Sequence, residues 1–236
     1  MSFGLLGMPS VTRMVVARQI QFTGVQALGL VLFVALLTAG AVVVQGLSLL
    51  ALVGGDQEAG PLLLTAVLRD LAPLLVGVLV ATRSGTAIAA ELAYLRATHE
   101  YETLEVMGVD PFEHLIIPRV IGVVMAVSCL TVLFQATVVG GSWLMLHCLR
   151  DQPPGLAEWL ALAGRSLAQS PGALVAVLAL KCLVGGVLIA AAAIEAGRRV
   201  EPLPTSVPRA AARGAVRGIV ATLVWNALTS AGALLW

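Results

Sequence analysis

Residues 62–95 read LLLTAVLRDLAPLLVGVLVATRSGTAIAAELAYL, and this stretch decides the fold class. As one helix it would run about 51 Å at 1.5 Å per residue. The hydrocarbon core of a bilayer is only about 30 Å thick, so the helix must tilt, kink or project beyond the membrane. Pro73 marks a kink site, because it has no N–H to give the preceding turn. Four charges interrupt the run: Arg69, Asp70, Arg83 and Glu91. A charge inside an apolar span is costly and normally faces a partner or a wet cavity. At about 100° per residue, Arg69, Arg83 and Glu91 share an arc of about 80°, and Asp70 widens it to about 140°. Pro73, Gly77 and Ser84 lie on the same arc.

The rest of the chain agrees with this reading. Of its 236 residues 59% are hydrophobic and 11% charged, and mean hydropathy is +0.97. Soluble domains carry about 25% charged residues. Five apolar segments are long enough to cross a membrane, at roughly 25–53, 62–95, 114–148, 171–197 and 214–236. The fold class is therefore an all-α integral membrane protein, multi-pass and single-domain. Residues 1–24 mix Arg13, Arg18, Gln19 and Gln21 with Met14, Val15, Val16, Ile20 and Phe22, the pattern of an interfacial helix. No signal peptide with an early cleavage site is evident. Lys181 lies within the fourth apolar segment, too deep for an ordinary interfacial residue, whereas Glu195 lies near that segment's end. Small residues at 84–90, Gly140, Gly141, Gly185, Gly186 and Ala190 to Ala193 allow close helix packing.

Arginine counting sets the orientation. With the N-terminus inside, nine arginines (13, 18, 96, 119, 198, 199, 209, 213 and 217) lie on the inner side, and only Arg150 and Arg165 lie outside. That bias fits a bacterial inner (cytoplasmic) membrane, with the N-terminus cytoplasmic and the C-terminus periplasmic.

Between the second and third spans, on the inner side, stands ETLEVMGVDP at 102–111. Thr98 is expected to cap a short helix over about 98–108, with Glu100 and Glu102 in its first turn. Tyr101, Leu104 and Met107 form one apolar edge. Gly108 suits a left-handed terminator, Asp110 caps the next helix, Pro111 takes its first position and Glu113 closes a capping box. A short acidic helix stiffened at both ends suits a surface that docks another protein.

Several function classes find no support. The net charge of +1 leaves no basic field for nucleic acid. Cys129, Cys148 and Cys182 form no CxxC pair and read as small hydrophobes, and HEYET lacks the second His of a metal-binding HExxH. No metal site is expected. GGDQEAG carries no GK[ST] for a nucleotide, and no nucleophile–base set suggests an intramembrane enzyme. An ion-coupled secondary transporter relaying through Arg83, Glu91 and Lys181 is the alternative reading, although no inverted repeat is evident. A structural anchor is a further one.

The run from 68 to 122, LRDLAPLLVGVLVATRSGTAIAAELAYLRATHEYETLEVMGVDPFEHLIIPRVIG, resembles the signature region of MlaE/YrbE-type permeases. SGTAIAAEL, LEVMGVDP and PR carry the likeness, and LTAGAVVVQ at 37–45 and the Lys181 region add to it weakly. The resemblance implies the membrane subunit of an MCE-associated ABC transporter of phospholipid-like lipids, without catalytic residues. It implies a homodimer, a cytoplasmic ABC ATPase subunit that holds ATP and Mg, and a periplasmic MCE-domain protein; no cofactor belongs to this chain. It makes the short helix a coupling helix, with Thr98, Glu102, Leu104, Glu105, Val106, Met107, Gly108, Val109, Asp110 and Pro111 at the ATPase. It places Arg69, Asp70, Arg83, Glu91 and Lys181 at a lipid cavity or an intramembrane polar site. The chain departs from the pattern where THEYETLE replaces TEQIDALE, where Asp70 replaces Glu, and where Gln135 stands for an acidic residue.

Overall fold

A computed structural model describes residues 23–53, 59–108, 110–149, 155–168, 171–200 and 203–233. The expected interfacial helix at 1–24 falls outside them except for its last two residues. Every regular element among the described residues is helical.

Helix α1 (Leu28–Val53) follows a 3₁₀ turn at Val25–Ala27. The second apolar segment is a broken rod. It comprises α2 (Ala59–Ala66), a π-helical turn at Val67–Leu71, α3 (Ala72–Val80), a second π turn at Ala81–Gly85, and α4 (Thr86–Ala97). Helix α5 (Glu100–Val106) is the short capped element. A π turn at Phe112–Ile116 leads into α6 (Ile117–Leu149). Helices α7 (Leu156–Ala168), α8 (Pro171–Arg198) and α9 (Val207–Ala233) complete the chain.

Among the described residues, four helical stretches are long and apolar enough to span a membrane: Val25–Ser48, Leu63–Ala97, Ile117–Leu149 and Val175–Arg198. They match the first four expected spans. The fifth expected span, 214–236, is described as far as residue 233, where it forms part of α9, a helix more polar than these four. Thr222 and Asn226 are buried in it, whereas Arg209, Arg213 and Arg217 near its start are exposed. The chain is thus an all-α integral membrane protein, built as expected from apolar runs of spanning length.

Helix α7 was not expected, since 149–170 reads as a polar loop. It is strongly amphipathic, and Trp159 Nε1 donates to the Val139 carbonyl of α6 at 3.0 Å.

The second segment runs through the middle of the bundle. Helix α3 packs on α6, and α4 packs on both α8 and α9; α1 lies along the far face of α6. Val31, Ala35, Val76, Val80, Val123, Phe134 and Ala190 are fully buried between them. In lipid, apolar area alone does not draw helices together, so small residues that let backbones approach must do so. A Cβ on Gly214 would meet Ala89 Cβ at 2.7 Å and the Gly85 carbonyl at 3.2 Å. One on Gly197 would meet Leu92 Cβ at 2.7 Å, and one on Gly186 the Val124 Cα at 2.8 Å. The small residues of 84–90, and Gly186 beyond them, therefore serve packing within the chain. Gly140 is different, with nothing within 4 Å of its position.

These contacts predict that Gly214→Val destabilises the chain by roughly 1–3 kcal/mol, as overpacking does. Gly140→Ala should leave it within about 0.5 kcal/mol. Unfolding midpoints of the two variants in detergent measure the difference.

Candidate functional site

The charges of the second segment do not gather into one site. The π turns shift the azimuth of everything after them, so an arc drawn on an unbroken helix does not survive. Each charge that has a partner has a different one.

At the first π turn the Ala72 N–H reaches back to the Val67 carbonyl, five residues away. That leaves the Leu68 carbonyl without its usual donor. Pro73 has no N–H, so the Arg69 carbonyl loses its donor as well. Side chains from other helices replace them. Gln135 Nε2 of α6 donates to the Leu68 carbonyl at 2.8 Å. Lys181 Nζ of α8 lies 3.3 Å from the Arg69 carbonyl. Asn226 Nδ2 of α9 donates to the Asp70 carbonyl at 3.2 Å.

Lys181 also pairs with Asp70 Oδ1 at 2.5 Å and meets Ser230 Oγ at 2.9 Å and Asn226 Oδ1 at 3.3 Å. Ser230 Oγ donates to Asp70 Oδ1 at 2.6 Å. The Lys181 side chain is 1% exposed and the Asp70 side chain 41%. The ammonium is thus enclosed, and the carboxylate looks out of the knot.

Glu91 and Arg83 sit apart from this knot. Glu91 Oε1 accepts from Arg119 Nη2 of α6 at 2.8 Å, with Arg119 buried and Glu91 half exposed. Arg83 Nη2 donates to Gln26 Oε1, just before α1, at 3.0 Å. Thr82, within the second π turn, and Thr86, just after it, return their hydroxyls to the carbonyls of Val78 and Thr82, a pattern that loosens helical ladders. Glu195, expected to be unremarkable, pairs with Arg199 at 3.1 Å and Arg217 at 3.6 Å. Among the described residues no cluster of His, Cys, Asp or Glu could hold a metal.

Sequence reasoning missed Arg119, Asn226 and Ser230 as partners. Asn226 and Ser230 stand at i and i+4 in an otherwise apolar stretch, and that spacing was the available signal. Gln135 entered only as a departure from a pattern, yet its side-chain amide donates to a main-chain carbonyl, which a carboxylate could not do.

The capped segment keeps its character with two corrections. Helix α5 covers Glu100–Val106, shorter than the expected 98–108. Thr98 does not cap it. Its hydroxyl bonds back to the Tyr94 carbonyl at 3.1 Å and so finishes α4. The break falls at His99, at φ 58°, whose carbonyl accepts the Thr103 N–H and whose ring meets Glu102 Oε2 at 2.7 Å. At the other end Gly108 has φ 73°, the left-handed terminator expected. Asp110 Oδ1 then accepts the Phe112 N–H at 2.8 Å, so Asp110 caps the next helix with Pro111 in its first turn, also as expected. Leu104 is partly buried. Val106 and Met107 are 88% and 63% exposed, and Phe112, five residues beyond Met107, is exposed as well. Val109 and the side chains of Glu105 and Glu113 lie outside the described residues.

A broken central helix, charges paired across helices and an exposed capped connector define a polytopic all-α membrane protein. The comparisons narrow the class. The model of the family Permease MlaE matches residues 16–231, and the chain belongs to that family. It is 32% identical over 148 residues to the intermembrane phospholipid transport system permease protein MlaE of Haemophilus influenzae, covering 61% of this chain and 57% of that protein. A probable ABC transporter permease protein of Rickettsia felis is 28% identical over 55% of this chain and 50% of its own length. The chloroplastic protein trigalactosyldiacylglycerol 1 of Arabidopsis thaliana is 34% identical over 49% of this chain and 33% of its own. The chain spans about half the length of the curated relatives it matches.

Removing the carboxylate partner of an enclosed ammonium should destabilise the bundle. Asp70→Asn is expected to cost on the order of 2 kcal/mol, less than a fully buried pair because Asp70 is partly open. Adding Lys181→Met to it should restore part of the loss. A double-mutant cycle of unfolding midpoints reads the coupling.

Proposed function

We propose that the chain is the permease subunit of an ABC transporter that moves phospholipid-like lipids, powered by ATP hydrolysis on a separate chain. The observation that carries this reading is the family match over residues 16–231. Two relatives support its terms, one named for phospholipid transport and one as an ABC transporter permease.

In this reading α5 is the coupling helix. A short helix bounded by a left-handed residue at either end cannot merge into its neighbours, so it moves as a unit. Val106, Met107 and Phe112 give it an apolar surface for a groove on the ATPase, and the exposed Glu102 and Asp110 add acidic groups on the same segment. Two copies of the chain form the working unit in the inner membrane, with the N-terminus cytoplasmic, the C-terminus periplasmic and an MCE-domain protein on the periplasmic side. The subunit itself performs no catalysis; ATP and Mg belong to the partner. Arg69, Asp70, Arg83, Glu91 and Lys181 act at a lipid cavity in different ways. Lys181 braces it from within the wall, and the more open Asp70 and Glu91 face its polar contents.

The rival reading, an ion relay through Arg83, Glu91 and Lys181, is weighed down by the separate partners of those three residues.

Val106→Asp combined with Met107→Asp is expected to abolish retention of the ATPase on the tagged chain and to lower lipid transfer in reconstituted vesicles at least tenfold. The unfolding midpoint should stay unchanged, since both side chains are exposed. Normal lipid transfer by that variant would sink the coupling assignment.

A further inference from the structure

At the arginine-rich end of the bundle lies an open pocket of about 610 Å³, between the end of α4, the start of α6 and the end of α8. Its volume falls in the range of sites that hold small molecules. Its floor is apolar, formed by Ile116 and Val120 of the α6 entry and by Val187 and Ala191 of α8. Its rim holds Arg96, Arg198 and Arg199 against one carboxylate, Glu195.

The rim charges are not equivalent. Glu195 is held by Arg199 and by Arg217, which neutralise it. Arg96 spends one nitrogen on the Arg198 carbonyl, which fixes its guanidinium at the mouth. The exposed Arg198 has no ion pair among the described residues. Two guanidinium groups therefore remain for an outside anion, and their planar forks suit phosphate oxygens. Beneath them Val187 is 45% exposed and Phe112 52%. The pocket lies at the ends of three helical stretches long enough to span a bilayer, Leu63–Ala97, Ile117–Leu149 and Val175–Arg198, and the ends of such stretches belong at headgroup level.

We propose that this pocket binds an anionic glycerophospholipid of the adjacent leaflet, its phosphate on Arg96 and Arg198 and the upper part of its acyl chains on the α6–α8 floor. The occupant is a resident lipid, distinct from any transported one. Because Phe112 follows the capped segment directly, the lipid would bear on the joint between α5 and α6. The inference rests on the membrane placement of the bundle and not on the transport reading.

The test uses the full chain in neutral detergent, titrated with phosphatidylglycerol, phosphatidylcholine or glycerol 1-phosphate and followed by native mass spectrometry. Phosphatidylglycerol is expected to bind about tenfold more tightly than phosphatidylcholine, whose quaternary ammonium offsets the charge of its phosphate at the two arginines. Arg198→Gln should remove that preference, and Ala191→Trp, which fills the floor, should weaken both lipids. Both positions are exposed, so unfolding midpoints should not move. Equal binding of the two lipids by the unaltered chain would overturn the proposal. So would glycerol 1-phosphate binding as tightly as the lipid, which would make the pocket a plain anion site. Retention of the preference in Arg198→Gln, or of full affinity in Ala191→Trp, would overturn it too.

Discussion

Three consecutive carbonyls, those of Leu68, Arg69 and Asp70, draw donors from three other helices, and the bundle is organised around them. In a membrane an unsatisfied carbonyl costs several kcal/mol, because no water reaches it. The π turn and Pro73 release two of these carbonyls, and Gln135, Lys181 and Asn226 must arrive at fixed depth and rotation to meet the set. Once an ammonium is among the donors, a carboxylate must stand beside it, and Asp70 supplies one from the same turn. One local break thus dictates how α6, α8 and α9 stand around the second segment.

The opposite half of that segment is held by different physics. Helix α4 lies against α8 and α9 through glycine and alanine, with spacings that leave no room for one added carbon. Close backbone contact of this kind is sensitive to sliding, whereas a hydrogen-bonded knot tolerates small shifts by rotating side chains. The second segment is therefore pinned by polar contacts at one level and by shape at another, with a weakened π turn between them.

The membrane class and the four most apolar segments were legible because the length of an apolar run answers directly to bilayer thickness. Gly108, Asp110 and Pro111 were legible because their roles are set by local backbone chemistry. The partners of the charges were not. Asp70 and Ser230 stand 160 residues apart, and nothing local couples them. The shared arc of Arg69, Arg83 and Glu91 failed because it assumed an unbroken 3.6-residue period, and a π turn adds a residue to one turn without an unmistakable signature in the sequence. Thr98 misled because a threonine hydroxyl serves equally well to close a helix by bonding backward or to open one by bonding forward. Helix α7 was hidden by its polar face, which reads as loop when the opposite face is not given a surface to cover.

Lys181 is the chain's one lysine, and it is walled in on every side. An amine-directed acylating reagent therefore has no side chain to modify while α8 stays seated on the second segment. Its rate of attack reports the fraction of time that these helices part, in the way that hydrogen exchange reports local opening. Tryptic digestion of the intact protein, for the same reason, is governed by its arginines alone. The residue that holds the interior together is also a chemical clock for its loosening.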